Sequence, residues 1–196
     1  FGIVMIIVFV ASPKNWHFIL MGVLGILMCV VFIATAGYRA DRIRIWLAPE
    51  KYDDGYQTMQ SLYAIGSGGF FGRGLGNSIQ KMGFIPESHN DMIFSVICEE
   101  LGLFGAVLTI IMFILLIYRC TVLAINSGDR FGGLIAVGVM AHIAVQVLIN
   151  ISVVTNTIPP TGVPLPFISY GGSSIFFLLL EMGLMFAVAR QIKPGR

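Results

Sequence analysis

Three stretches without a single Asp, Glu, Lys or Arg, at 15–38, 101–118 and 131–180, constrain this chain more than anything else in it. A helix needs about 20 mainly apolar residues to cross the hydrocarbon core of a bilayer. The first two stretches hold one such helix each, and the third holds two with a break between them. Apolar residues make up 57% of the chain and charged residues 11%, whereas an ordinary soluble domain carries about 25% charged. The expected fold class is an all-α polytopic membrane protein, because helices satisfy their own backbone hydrogen bonds in lipid. Residues 1–11 are also apolar but too short to span, and they lack the charged flank of a signal peptide. They read as the tail of a helix that starts upstream, so a fragment with about five transmembrane helices is expected.

The spans are expected at about 1–11, 17–38, 92–118, 131–154 and 173–190 of a single membrane domain, 1–196. Two connections stand out: a loop of about fifty residues at 38–91, too long for a plain connector, and an uncharged loop at 154–172 holding Pro159, Pro160, Pro164 and Pro166. Lys14, the pair Arg119 and Arg130, and the tail of Arg190, Lys193 and Arg196 fall on one face if the crossings alternate. Positive charge in short loops marks the cytoplasmic side. That places the C-terminus inside and both larger loops outside. A net charge of +2 is too small to imply nucleic acid. Cys29, Cys98 and Cys120 sit in or beside apolar stretches, at spacings of neither a metal site nor a disulfide framework.

Within the long loop, Met59, Leu62 or Tyr63, and Ile65 or Gly66 recur at helical spacing, which predicts a short interfacial helix. Six glycines follow in the eleven residues 66–76. They lack the spacing and βαβ context of a dinucleotide fingerprint. Two readings stay open: a nest of backbone N–H groups for a diphosphate, or glycines that permit tight turns. Irregular backbone at membrane depth must be shielded by protein or line a wet cavity.

The segment Pro86-Glu87-Ser88-His89-Asn90-Asp91 then leads into an apolar run. A carboxylate at a lipid boundary loses water, which favours its neutral form and makes it a better proton acceptor. Asp91 is therefore the candidate base, with Glu87 or His89 orienting a substrate group. The alternative is that Asp91 only N-caps the next helix. Glu99 and Glu100, placed about two turns inside, suit either a proton path or a helix lock. Glu181 reads the same way, and His142 reads as a hydrogen-bonded histidine within the bundle. In Pro164-Leu165-Pro166-Phe167-Ile168-Ser169-Tyr170-Gly171-Gly172-Ser173-Ser174, prolines end one helix and Ser173 or Ser174 can cap the next. The helix opening there favours anions.

Taken in order, these motifs resemble the SEDS family of bacterial cell-wall polymerases, the group of FtsW, RodA and SpoVE. The resemblance runs through Tyr38-Arg39, Arg42-Ile43, Gly55-Tyr56-Gln57, Gln60-Ser61-Leu62, the glycines at 66–76, Asn77-Ser78, Gln80-Lys81, Pro86-Glu87, Ile93-Phe94, Glu99-Glu100-Leu101-Gly102 and 164–174. Gly-Leu-Gly-Asn-Ser followed by Gln-Lys looks more like the FtsW branch than the RodA branch, with SpoVE left open. The resemblance implies about ten helices in the full protein, roughly the last five of them here. It also implies a peptidoglycan glycosyltransferase that polymerises lipid II with inversion. Asp91 matches the essential aspartate of a His-Thr-Asp-Phe motif, which here reads His89-Asn90-Asp91-Met92. Arg42 and Lys81 match family positions and, with Glu87, His89, Ser169, Tyr170, Gly171 and Gly172, are the implied substrate-binding set; Arg73 joins them on charge alone. A divalent cation, magnesium or manganese, can assist the diphosphate. Implied partners are a class B penicillin-binding protein and other division or elongation membrane proteins. Two other readings compete: a lipid II flippase with Glu99 and Glu100 as proton-coupling groups, and a non-catalytic scaffold of the division machinery.

Overall fold

The computed structural model describes residues 15–34, 37–80 and 89–192. The expected helix at 1–11, the site candidates Lys81 and Glu87, and the tail from Lys193 lie outside the described residues. Among the described residues six α-helices follow one another: α1 (Asn15–Ala34), α2 (Gly37–Leu47), α3 (Tyr56–Ser67), α4 (Ile93–Ile125), α5 (Arg130–Val154) and α6 (Gly172–Gln191). Two short 3-10 turns separate α2 from α3, and the described residues contain no strand. Helices α4, α5 and α6 are long and apolar enough to cross a membrane. Helix α1 is 20 residues long and carries no Asp, Glu, Lys or Arg.

Helix α5 lies between α4 and α6. It buries Ala136, Val139, Ile143 and Val147 on its packed side, while Ile111, Met112, Ile114 and Leu115 of α4 and Phe176, Phe177 and Leu179 of α6 point outward. At Gly132 of α5 a Cβ would lie 3.4 Å from Val188 of α6, and a small residue at such a point allows the close approach on which helix association in lipid relies. The outward apolar side chains are what a lipid solvent requires. Gly128 lies beside the carbonyl of Gln191, so the α4–α5 turn and the end of α6 share one end of the bundle. The sequence reading of positive charges placed these segments on one face.

The chain enters α5 through Asp129, whose carboxylate accepts the N–H of Gly132 at 3.2 Å. This satisfies one of the orphan donors of the first turn. Asp129→Ala is expected to destabilise the bundle by about 1 kcal/mol, read as a lower melting temperature in detergent with the site at the far end unaffected.

Two features depart from expectation. Residues 37–47 form α2 rather than the start of a loop. Trp46 Nε1 donates to the carbonyl of Asn156 at 2.9 Å, and Arg42 Nη1 donates to that of Pro160 at 2.8 Å. A charged segment with little intrinsic reason to be helical is thus held by contacts more than a hundred residues away. Helix α3 forms as expected, but its buried side chains are Thr58, Ser61 and Ala64, and Tyr63 is exposed. Small residues win this face because α3 sits close to its neighbours: Ser61 Oγ donates to the carbonyl of Val154 at 3.1 Å.

Helix α4 is broken in the middle. Gly102 has φ 65° and ψ −162°. The carbonyls of Glu99 and Glu100 accept from Arg73 and Gly74, at 3.0 and 2.9 Å, instead of from the next turn. In return, Leu103 and Phe104 donate to the carbonyls of Gly69 and Phe70, at 2.8 and 3.2 Å. Two intrahelical bonds are replaced by four bonds to the glycine-rich loop. A Cβ on Gly72 would lie 2.1 Å from the Glu100 oxygen, and one on Gly68 would lie 1.9 Å from the Cys98 oxygen. The run therefore serves close approach to α4, and the N–H groups of Arg73 and Gly74 are taken up by α4, which takes both out of any diphosphate nest. The stretch after Gly102, about 23 residues or ~34 Å long, is by itself sufficient to span, and Glu99 and Glu100 lie just before it.

Candidate functional site

Two segments of the sequence meet at the α3 end of the bundle. The backbone N–H of Tyr170 donates to the carbonyl of His89 at 2.8 Å. One residue along each segment, Ser169 Oγ donates to the carbonyl of Asn90. Ser169 also accepts the N–H of Leu165 at 2.7 Å. A tight turn results, with Leu165 and Pro166 buried, and with Phe167 at φ 63°. A left-handed aromatic residue persists only where its surroundings over-determine it, and here the bonds around Ser169 do so.

Below this junction, α5 contributes two buried amides that sequence reasoning passed over. Asn150 Nδ2 donates both to the carbonyl of Asp91, at 2.7 Å, and to that of Val163, at 2.8 Å. One turn earlier, Gln146 Nε2 donates to the carbonyl of Pro164 at 3.1 Å. The signal was present: two polar residues four apart in an otherwise apolar span are costly unless they face partners. Oδ1 of Asn150 and Oε1 of Gln146 have no partner among the described residues.

Asp91 is half-buried. The N-cap position of α4 falls on Met92, which lacks a capping side chain, so Asp91 stands one residue outside the helix. Its Oδ2 faces Gly162, where a Cβ would lie 3.9 Å away. Gly162 is two residues from the carbonyl that Arg42 holds, so the α2 guanidinium and the Asp91 carboxylate address the same loop.

Of the residues singled out from sequence, His89, Asp91, Ser169, Tyr170, Gly171 and Gly172 are brought together, and Arg42 reaches the same loop from α2. Tyr170 is exposed and Ser169 buried. Ser173 and Ser174 do not cap α6. The helix begins at Gly172, with Gly171 at the N-cap, so both serines already lie in its first turn. Arg73 is drawn toward Glu99, with Nη1 3.8 Å from Oε1. Glu99 is fully buried; it accepts from Ser78 Oγ and from the N–H groups of Ile79, at 3.1 Å, and Gln80, at 3.3 Å. His142 and Glu181 pair across α5 and α6, with Nδ1 3.0 Å from Oε2.

No group of three or more His, Cys, Asp or Glu side chains among the described residues is placed to hold a metal ion. An open groove of about 590 Å³ between Pro49 and Tyr63 includes none of the residues at the 89–91 junction.

Apolar helices long enough to span, ending in a polar junction of two loops that includes a half-buried carboxylate, define a multi-pass membrane protein with a candidate site at one end of the bundle. The family model that covers FtsW, RodA and SpoVE, described as cell cycle protein, matches residues 1–194, and the chain belongs to that family. Stage V sporulation protein E of Bacillus subtilis is 42% identical, over 96% of this chain and 52% of that protein. A probable peptidoglycan glycosyltransferase FtsW from Trichlorobacter lovleyi is 37% identical, over 98% of this chain and 51% of that one. Its namesake from Coxiella burnetii is 39% identical, over 93% and 50%. The chain thus spans about half the length of the curated relatives it matches, and relatives of both names have similar identity to it. Among solved structures, one chain of a peptidoglycan synthase complex, described as coordinating polymerization and crosslinking, superposes with a TM-score of 0.68 at 27% identity. That match covers 98% of this chain and 54% of the other. An aspartate-to-alanine mutant of the rod shape determining protein RodA from Thermus thermophilus gives a TM-score of 0.53 at 32% identity, over 69% and 41%.

Proposed function

We propose that this chain carries the reaction centre of a peptidoglycan glycosyltransferase that polymerises lipid II. Asp91 takes the proton from the acceptor sugar hydroxyl as that oxygen attacks the donor's anomeric carbon. The bond from that carbon to the diphosphate oxygen breaks, configuration inverts, and undecaprenyl diphosphate leaves. The developing charge on the diphosphate needs fixed positive partners. Arg42 and Lys81, with the uncapped first turn of α6 beyond Gly171 and Gly172, supply them in this reading. Glu87, His89, Ser169 and Tyr170 bind the sugar and peptide portions. The observation that carries the proposal is the placement of Asp91: a half-buried carboxylate outside its helix, at the junction of the two loops.

The site faces the extracytoplasmic side and the C-terminus the cytoplasm of the bacterial cell membrane, in keeping with the positive charges at the opposite end. The partner is a class B penicillin-binding protein, supported by the synthase complex that this chain resembles, alongside other membrane proteins of division or elongation. Against the flippase reading, Glu99 already receives three hydrogen bonds within the chain, which suits a structural anchor better than a proton carrier.

The test is polymerisation of lipid II by the full-length protein with its partner, wild type beside Asp91→Ala, together with leaflet-resolved translocation in proteoliposomes. Unchanged polymerisation by Asp91→Ala refutes the assignment. Translocation that survives loss of Asp91 but not of Glu99 or Glu100 establishes transport instead. At Gly162, φ is +69° and a Cβ would face Oδ2 of Asp91. Gly162→Ala is therefore expected to cost about 1–2 kcal/mol of stability through its left-handed backbone, and to lower the polymerisation rate only as far as the strained loop shifts, because 3.9 Å is ordinary van der Waals separation from Oδ2.

A further inference from the structure

We infer that Asn150 is the positioning residue for Asp91. The inference rests on the proposed role of Asp91 as base. One side-chain amide holds two backbone carbonyls, that of Asp91 at 2.7 Å and that of Val163 at 2.8 Å. The first belongs to the segment that carries the carboxylate, and the second to the loop that walls it at Gly162. Asn150 is fully buried on α5, a helix whose own hydrogen bonds give it a fixed frame. Its amide ties the backbone of Asp91 itself to this frame, while Ser169 and Tyr170 hold the neighbours Asn90 and His89 from the opposite loop. A planar NH2 group fixes the angle between its two acceptors, so carboxylate and wall are set relative to each other by one group. In this reading Asn150 acts on the reaction indirectly, by placing Asp91 and the loop that faces it. Misplacement of a reacting group by about 1 Å is enough to lose ~100-fold in rate.

Gln146 provides the matched comparison. It is a buried amide one turn away on the same helix and holds Pro164 in the same loop, but makes no bond to the Asp91 segment.

The experiment uses the full-length protein with its transpeptidase partner in lipid, with lipid II as substrate. It compares Asn150→Leu, Asn150→Asp and Gln146→Leu, each alone, and Asn150→Leu combined with Asp91→Ala. The expected result is a ~100-fold lower kcat for both Asn150 variants with KM within ~3-fold. Gln146→Leu should lose the same melting temperature but less than a tenth as much kcat. Asn150→Leu should lower the residual rate of Asp91→Ala no further, because two residues that act as a unit are not additive. Equal kcat losses for Asn150→Leu and Gln146→Leu, a rise in KM instead of a fall in kcat, or failure of both Asn150 variants to fold would each reduce Asn150 to a structural residue and overturn the inference. Normal turnover by Asn150→Leu beside an inactive Asp91→Ala overturns this inference alone; an active Asp91→Ala overturns the polymerase reading beneath it.

Discussion

Lipid II polymerisation by Asp91→Asn or Asp91→Ala is expected to fall by about 10²–10⁴-fold, the range a positioned general base supplies. The effect should lie in kcat, because the carboxylate is needed as the proton moves and not for the substrate to dock. Stability should hardly change. One bond that anchors this residue runs from Asn150 to the backbone carbonyl, which either substitution retains, and the N-cap position of α4 falls on Met92. Asp91→Glu is a sharper variant: it keeps the charge but moves the oxygens by about one methylene from their place on the side of Gly162. An intermediate rate, above Asn and well below wild type, is expected. The measurement is steady-state polymerisation on the full-length protein with its partner, with melting temperature and partner co-purification recorded for each variant. A melting temperature that falls in step with activity would mean that Asp91 serves the fold and not the reaction.

The second large effect is expected at Gly102. Its φ of 65° with ψ near −162° is open to glycine and to almost nothing else. A Cβ there would lie 2.4 Å from the Gly72 nitrogen and 2.6 Å from the Phe70 oxygen, both backbone atoms that cannot swing aside. Gly102→Val must either expel the loop at 69–74 or straighten α4, and both break the four exchanged hydrogen bonds. With backbone strain of about 1–3 kcal/mol and about 1 kcal/mol per lost bond, the destabilisation should exceed about 4 kcal/mol. Little folded protein should reach the membrane. Gly76→Ala is the control: its φ is also positive, but nothing lies within 4 Å of a Cβ, so only the modest backbone penalty applies. Folded yield and melting temperature of the two variants would separate close approach from turn geometry.

Much was legible because lipid imposes a simple rule on local sequence. The uncharged stretches marked α1, α5 and α6 to within a few residues, since a helix is the cheapest way to hide backbone polar groups. Charge at Arg119 ended α4 too early on paper; the helix continues to Ile125, because Arg near a span end reaches polar surroundings without breaking the helix. Asp91 was conspicuous for the opposite reason, as a carboxylate at the edge of an apolar run. The proline and glycine chemistry at 159–172 announced an irregular loop on the same side.

What the residue order determined alone was the solvent, the spans and the chemical character of the loops, because each follows from side chains within a turn or two of one another. Only the tertiary structure decided how the loops join. The burial of one face of α3, the anchoring of α2 on Asn156 and Pro160, the splice between Gly72 and Gly102, and the double grip of Asn150 all pair backbone atoms far apart in the chain. A backbone carbonyl is the same at every position, so nothing in the neighbouring residues records which distant donor it will meet.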